Sequence, residues 1–89
     1  MSNVKAMPEN TQYSLYYYDS CPFCARVLRS LQGVKANVEL RNIFSEPKYR
    51  SELQKATGRT MVPCLRIENG TESQWMFESM DIIRFLQSL

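Results

Sequence analysis

Residues 13–24 read Tyr13-Ser14-Leu15-Tyr16-Tyr17-Tyr18-Asp19-Ser20-Cys21-Pro22-Phe23-Cys24. The run Tyr13–Tyr18 is aromatic and apolar, which suits a strand buried on both faces. Asp19 and Ser20 break it. Cys24, Val27, Leu28 and Leu31 then fall at i, i+3, i+4 and i+7, one face of a helix. Proline is tolerated in a first helical turn, so Pro22 sets the helix start at or near Cys21. Gly33 is expected to end it. A strand therefore runs into a helix with two cysteines at the join.

Outward from this unit, Val38 and Leu40 alternate with Glu39 and Arg41, a second strand. Ser45-Glu46-Pro47 is a helix-start signal. Tyr49, Leu53 and Ala56 mark that helix's apolar face, and Gly58 closes it. Leu65 and Ile67 alternate with Cys64 and Arg66 in a third strand. Asn69-Gly70 is a hairpin turn, and Trp75, Met76 and Phe77 form a fourth strand. Ser79 is expected to cap a last helix, with Asp81 in its first turn. Ile82, Ile83, Leu86 and Leu89 supply that helix's stripe. The order is β-α-β-α-β-β-α. Its strand-helix-strand start implies a parallel pair with a right-handed crossover. The expected class is α/β, a four-stranded mixed sheet flanked by three helices.

Composition narrows the function. The chain has 89 residues, 44% hydrophobic and 22% charged, which fits one small globular domain. Eleven Lys and Arg against nine Asp and Glu make no electrostatic case for nucleic acid. No apolar run approaches the ~18 residues of a membrane span. The absence of histidine excludes a histidine-based triad and an imidazole general base. Three cysteines without histidine cannot fill a closed four-ligand zinc site, and no metal is expected. The odd, sparse cysteines argue against a secreted disulfide scaffold. Residues 1–11 carry no apolar signal core and are expected to form a flexible tail, with the domain at 12–89. A reducing cytoplasm is the expected compartment.

Cys21-Pro22-Phe23-Cys24 takes its chemistry from its position. The first N–H groups of a helix are unpaired and, with the helix dipole, stabilise an anion. A thiolate at Cys21 is expected to form more readily than in a free cysteine, whose pKa is about 8.5. Cys21 is expected to be exposed and to attack disulfides. Cys24, one turn in on the apolar face, is expected to be buried, less reactive and able to resolve a mixed disulfide. A lone pair of this spacing also occurs as half a metal site. Val62-Pro63 follows a polar loop and precedes a strand, where proline is allowed. Cys64 reads as a small structural residue, with a regulatory thiol as the alternative. The aromatics around Tyr16 and Trp75 read as core, and those left exposed would flank a groove.

Cys21-Pro22-Phe23-Cys24 after a strand, Met61-Val62-Pro63 before a strand and Glu78-Ser79 with Asp81-Ile82 at a helix start resemble a glutaredoxin of thioredoxin-like fold. The resemblance runs from about Tyr13 to Leu89. It implies that Pro63 is cis and faces the active cysteine. It implies that Val62 pairs its backbone with the cysteine of glutathione like an added strand. It places the γ-glutamyl end of glutathione at Glu78 and Ser79, although Ser79 could serve only as a cap. The Glu78-Ser79 pair is similar to the N-terminal domain of glutathione transferases. Many glutaredoxins have a lysine just before the motif where this chain has Asp19 and Ser20. Arg59 or Arg26 could supply that charge, or be solvated surface residues. Phe23 stands where tyrosine is common.

The function so implied is glutathione-dependent thiol–disulfide exchange by a monomer. Glutathione is the co-substrate, and glutathionylated or disulfide-bonded proteins are the partners. The catalytic residues are Cys21 and Cys24, supported by Pro22, Phe23 and Pro63. Glutathione contacts fall to Val62, Pro63, Glu78, Ser79 and Arg59. The alternatives are a glutathione-ligated [2Fe–2S] protein and a non-catalytic glutathione-binding domain.

Overall fold

Thr11–Tyr17 forms strand β1 in the computed structural model, which describes residues 11–89. The chain continues through α1 (Pro22–Ser30), β2 (Val38–Asn42), α2 (Pro47–Thr57), β3 (Cys64–Asn69), β4 (Glu72–Met76) and α3 (Ser79–Gln87). The expected tail lies, up to residue 10, outside the described residues. Thr11 already belongs to β1.

The sheet order is β2-β1-β3-β4. β2 runs parallel to β1, with Tyr13 opposite Val38 and Tyr17 opposite Asn42. β3 runs antiparallel to β1, with Leu15 opposite Leu65 and Tyr16 opposite Cys64. Gly70, at φ 68°, turns the chain from β3 into antiparallel β4. The architecture is the thioredoxin-like α/β fold expected from the sequence.

Alternation along β1 sends consecutive side chains to opposite faces. Leu15 joins Val27, Leu65, Ile67, Ile82 and Leu86 in one buried cluster under α1 and α3. Tyr16 joins Ile43, Leu53 and Cys64 under α2. An inner strand covered on both faces needs large apolar side chains on both, and the tyrosine-rich run supplies them.

The face under α2 is charged as well as aromatic. The Arg41 guanidinium lies over the rings of Tyr16 and Tyr49, 5.5 and 5.4 Å from their centroids. It pairs with Glu52 and Glu39, both at 3.0 Å. Its Nη1 donates to the Tyr16 hydroxyl at 2.7 Å, and that hydroxyl donates to Glu52 at 2.9 Å. Arg66 lies over Trp75 at 4.9 Å. In β2, therefore, Arg41 covers the sheet while Leu40 is 46% exposed. An edge strand lets the arginine stem lie on the aromatics while its head reaches carboxylates near water.

Several element ends differ from the sequence reading. The α-helix α1 ends at Ser30 and tightens into a 3-10 turn, Leu31–Gly33. Ala56 is exposed, because α2 turns it to solvent beside half-buried Thr57. Phe77 lies past the end of β4. Glu78 holds the N-cap position of α3, and Ser79 is its first helical residue. Leu89 is 40% exposed, beyond the helix end. No helix among the described residues is long and apolar enough to cross a membrane.

Gly58 closes α2 at φ 76°, its N–H donating to Gln54 O at 2.8 Å. An L side chain there costs roughly 1–2 kcal/mol. Gly33 has no positive φ and open space at its Cβ position. Gly58→Ala is expected to lower unfolding stability by about 1 kcal/mol or more. Gly33→Ala is expected to stay within about 0.5 kcal/mol, both read from urea denaturation.

Candidate active site

The site begins where β1 stops. Cys21 holds the N-cap of α1 with extended backbone, φ −85° and ψ 115°. Its Sγ accepts the Cys24 N–H at 3.2 Å, and its carbonyl accepts the Ala25 N–H at 3.0 Å. Its own N–H donates to Tyr18 O at 3.3 Å, so the end of β1 is tied to the helix start. Pro22, with no N–H to satisfy, occupies the first helical position.

Cys21 is only 4% exposed, against the expectation of an exposed thiol. The N-cap role explains the difference: the sulfur folds back over the first turn to meet Cys24 N–H. Cys24 is fully buried, as expected. Burial, and then the adjacent Cys21 sulfur, push its thiol up to about 12. All three cysteines are free thiols.

The Val62–Pro63 peptide is cis. Val62, Pro63 and Phe23 line an open cleft of about 310 Å³ together with Phe77, Glu78 and Ser79. The structure thus gathers five residues named from the sequence, from three separate stretches of chain. Cys21 and Cys24 do not line the cleft themselves; they bracket Phe23, which does. Arg59 stands one layer back, its guanidinium 5.5 Å from the Phe77 ring centroid. Arg26 lies over Phe23 in the same way, at 5.9 Å. Glu78, at the N-cap of α3, makes no side-chain cap bond, and Ser79 beside it lines the cleft wall. Met61, quoted in the motif but not assigned to the site, also lines the cleft and is half-exposed. Its place beside Val62 was the available signal. Phe77, assigned to a strand, is one of the aromatics that flank the groove.

Cys64 does not line the cleft. It is fully buried beneath α2 with Tyr16 and Leu53, and burial pushes its thiol up to about 12. These surroundings are those of a small core residue.

The glutaredoxin family model matches residues 12–71, and the chain belongs to that family. No curated protein sequence matches it. Among solved structures, it is similar to the omega-class glutathione transferase 2S of Trametes versicolor, with TM-score 0.69 and 21% identity over 88% of this chain and 36% of that one. It is similar to the trimeric glutathione transferase TDR1 of Leishmania, with TM-score 0.67 and 26% identity over 85% and 17%. The glutaredoxin of Brucella melitensis superposes with TM-score 0.53 and 23% identity over 86% and 78%. The chain spans about a third of the Trametes transferase and about a sixth of the Leishmania one. Fold and family define a glutathione-related thiol-oxidoreductase fold.

The two raised thiols tie stability to pH. The unfolded chain ionises Cys24 and Cys64 near the ordinary value of 9.0, while the folded protein holds both protonated to about 12. Their contribution to stability is present below pH 9.0 and lost as pH rises towards about 12. Cys64→Ala is expected to flatten that fall, measured by urea unfolding at about pH 8 and about pH 11.

Proposed function

We propose that this protein is a glutathione-dependent thiol–disulfide oxidoreductase acting on glutathione mixed disulfides and on small or protein disulfides. The observation that carries the reading is Cys21 Sγ at the N-cap of α1, hydrogen-bonded to Cys24 N–H at 3.2 Å. Negative charge that develops on that sulfur meets a backbone donor and a helix N-terminus already in place. Thiolate is the form that attacks disulfides.

In the proposed cycle, the Cys21 thiolate attacks the glutathione sulfur of a mixed disulfide. The S–S bond breaks, the substrate leaves as a thiolate that takes a proton, and Cys21 carries glutathione. A second glutathione thiolate then attacks the glutathione sulfur on Cys21. Glutathione disulfide leaves, and the Cys21 thiolate is restored. With a protein disulfide, the Cys21 thiolate attacks one sulfur, and the other leaves as a thiolate that takes a proton. Cys24 then loses its proton and attacks the Cys21 sulfur, releasing the reduced protein and closing a Cys21–Cys24 disulfide. Two glutathiones reduce that disulfide and leave as glutathione disulfide. The raised pKa of Cys24 disfavours attack on a free substrate, and in the intramolecular step proximity offsets that weak ionisation.

Glutathione is proposed to lie in the cleft of Val62, Pro63, Phe77, Glu78 and Ser79. The Val62 backbone would pair with its cysteinyl unit. Glu78 would take its ammonium group, and the Ser79 hydroxyl with the α3 N-terminus would take the neighbouring carboxylate. Arg59, next to Phe77, would pair with the glycine carboxylate. A reducing compartment such as the cytoplasm suits an enzyme whose thiols must be kept reduced.

The acidic-serine start of α3 and the likeness to transferases favour a second reading, a domain that binds glutathione without exchange. Kinetics separate the two. Glutathione-coupled reduction of a small mixed disulfide is expected to proceed in wild type, to vanish in Cys21→Ser and to survive in Cys24→Ser. Glutathione binding without turnover in wild type would favour the second reading. Within the first reading, Ser79→Ala is expected to raise KM for glutathione about tenfold or more, the loss of one hydrogen bond to a charged group. Its kcat is expected to change little.

A further inference from the structure

The sheet order places β2 on one side of β1 and β3 with β4 on the other. Cys21 follows β1, so the active thiol has two flanks. The glutathione cleft occupies the β3–β4 flank. On the β2 flank lies a second recess of about 350 Å³, lined by Asp19, Ser20, Asn42, Phe44 and Ser45.

This second recess has a built shape. Asn42 Oδ1 accepts the N–H groups of Phe44 and Ser45 at 2.9 and 3.1 Å, and Ile43 N–H donates to Tyr17 O at 2.9 Å. The loop after β2 is thereby fixed against the end of β1. Phe44 stacks on Tyr18 with ring centroids 4.7 Å apart and planes at 25°, yet it remains 65% exposed. A large aromatic held in place with its outer surface in water is a platform without a cover. At its edge stands Asp19, exposed and without an ion-pair or hydrogen-bond partner among the described residues. The remaining lining side chains are hydroxyls and an amide. No cation among the described residues lines the recess.

An aromatic face beside an unpaired carboxylate attracts a cation twice, through the ring quadrupole and through charge. Glutathione is a poor occupant, since its two carboxylates outnumber its one ammonium. We propose that the recess formed by Asp19, Phe44 and Ser45 docks a lysine- or arginine-bearing segment of the protein that is reduced at Cys21. This assignment deepens the oxidoreductase reading and rests on it. While glutathione fills one flank of the thiol, the protein half of the mixed disulfide lies along the other. Substrates whose reactive cysteine has basic neighbours are then favoured over acidic ones. In the exchange, the Cys21–glutathione bond forms, the glutathione–protein S–S bond breaks, and the protein thiolate leaves beside the recess and takes a proton.

Two glutathionylated peptides test this, identical except for lysines or glutamates flanking the cysteine. Flanking lysines also make the cysteine a better leaving group, so the ratio of the two kcat/KM values is not the readout by itself. The readout is how that ratio changes with the protein. Asp19→Lys is expected to lower the lysine-to-glutamate ratio about tenfold, and Phe44→Ala about threefold. Raising salt is expected to shrink the wild-type ratio towards that of Asp19→Lys, since exposed charges are screened. A ratio unchanged in both variants overturns the proposal. If wild type fails to turn over even a small glutathione mixed disulfide, the oxidoreductase reading falls, and docking is read without chemistry. Non-thiol peptides with serine for cysteine are then added to labelled wild-type protein. Amide shifts at Ser20, Phe44 and Ser45 with the lysine peptide alone support the surface. Shifts with both peptides or with neither overturn it.

Discussion

The Cys24 N–H donates to the sulfur of Cys21 at 3.2 Å and closes the first turn of α1 with a thiol. Helix starts ordinarily use the oxygen of Ser, Thr, Asp or Asn there. Putting sulfur in that place costs some of the cap's strength, because sulfur is the weaker acceptor. It also assigns the two cysteines different environments within four residues. One sulfur sits at the end of the helix dipole that favours negative charge. The other sits in the helix body, in a core that disfavours charge. The asymmetry follows from where the helix begins, and Pro22 marks that beginning.

For this helix start to act as a site, its surroundings must be rigid. β1 is held by β2 and β3 and packed on both faces, so its end at Tyr17 is a fixed point. Cys21 N–H is bonded back to Tyr18 O, and Ile43 N–H to Tyr17 O. The two loops that reach the thiol from the β2 side are therefore anchored to one strand end. The β3 side is built differently. There the cis Val62–Pro63 peptide and the turn from β4 into α3 bring Pro63 and Phe77 to the same cleft. The face under α2 adds stiffness through Arg41, which joins Tyr16, Glu39 and Glu52. Breaking that cluster would leave charges partly buried without partners, so its members are expected to exchange poorly for other types.

Fold and site were unequally legible in the sequence. The order of elements, both Pro-led helices and the Asn69-Gly70 turn follow from local chemistry, which acts over a few residues and leaves its mark there. The Cys21–Cys24 pair was legible for the same reason. Burial of Cys21 was not, because it depends on the sulfur's rotation towards Cys24 N–H and not on its place before the helix. Arg41 escaped because alternation in an edge strand counts apolar residues, whereas the sheet face here is closed by an arginine lying on tyrosines. Ser79 was read as a cap because its residue type prefers that role; the carbonyl of Glu78 instead accepts the first helical bond, from Ile82 N–H at 2.9 Å. The cleft was legible residue by residue only through the family resemblance. Periodicity alone could not bring Phe23, Pro63 and Ser79 together, since only long-range pairing of β1 with β3 and of β3 with β4 does so.

Charge around the thiol is arranged by side. On the cleft side, Phe23 and Phe77 each carry an arginine against the ring, Arg26 and Arg59, while Glu78 is the one charged residue in the cleft lining. On the β2 side, Asp19 is the charged residue, and among the described residues no arginine or lysine lines the recess. A ligand bearing both an ammonium and a carboxylate would match the first arrangement, where Glu78 lines the cleft and Arg59 lies against Phe77. It does not match the second, where nothing would balance a carboxylate. Under the proposed function, two ligands of different charge would be sorted to the two flanks of one sulfur before any bond is exchanged. Such sorting costs the fold little, because Asp19, Arg26 and Arg59 are all exposed and none is needed to fill a core. Selectivity carried by exposed charges acts through modest, salt-sensitive energies. In the proposed thiol exchange the chemistry would rest on the buried cap at Cys21, held by the strand end and helix start beneath it, while the surface would bias the choice of partner.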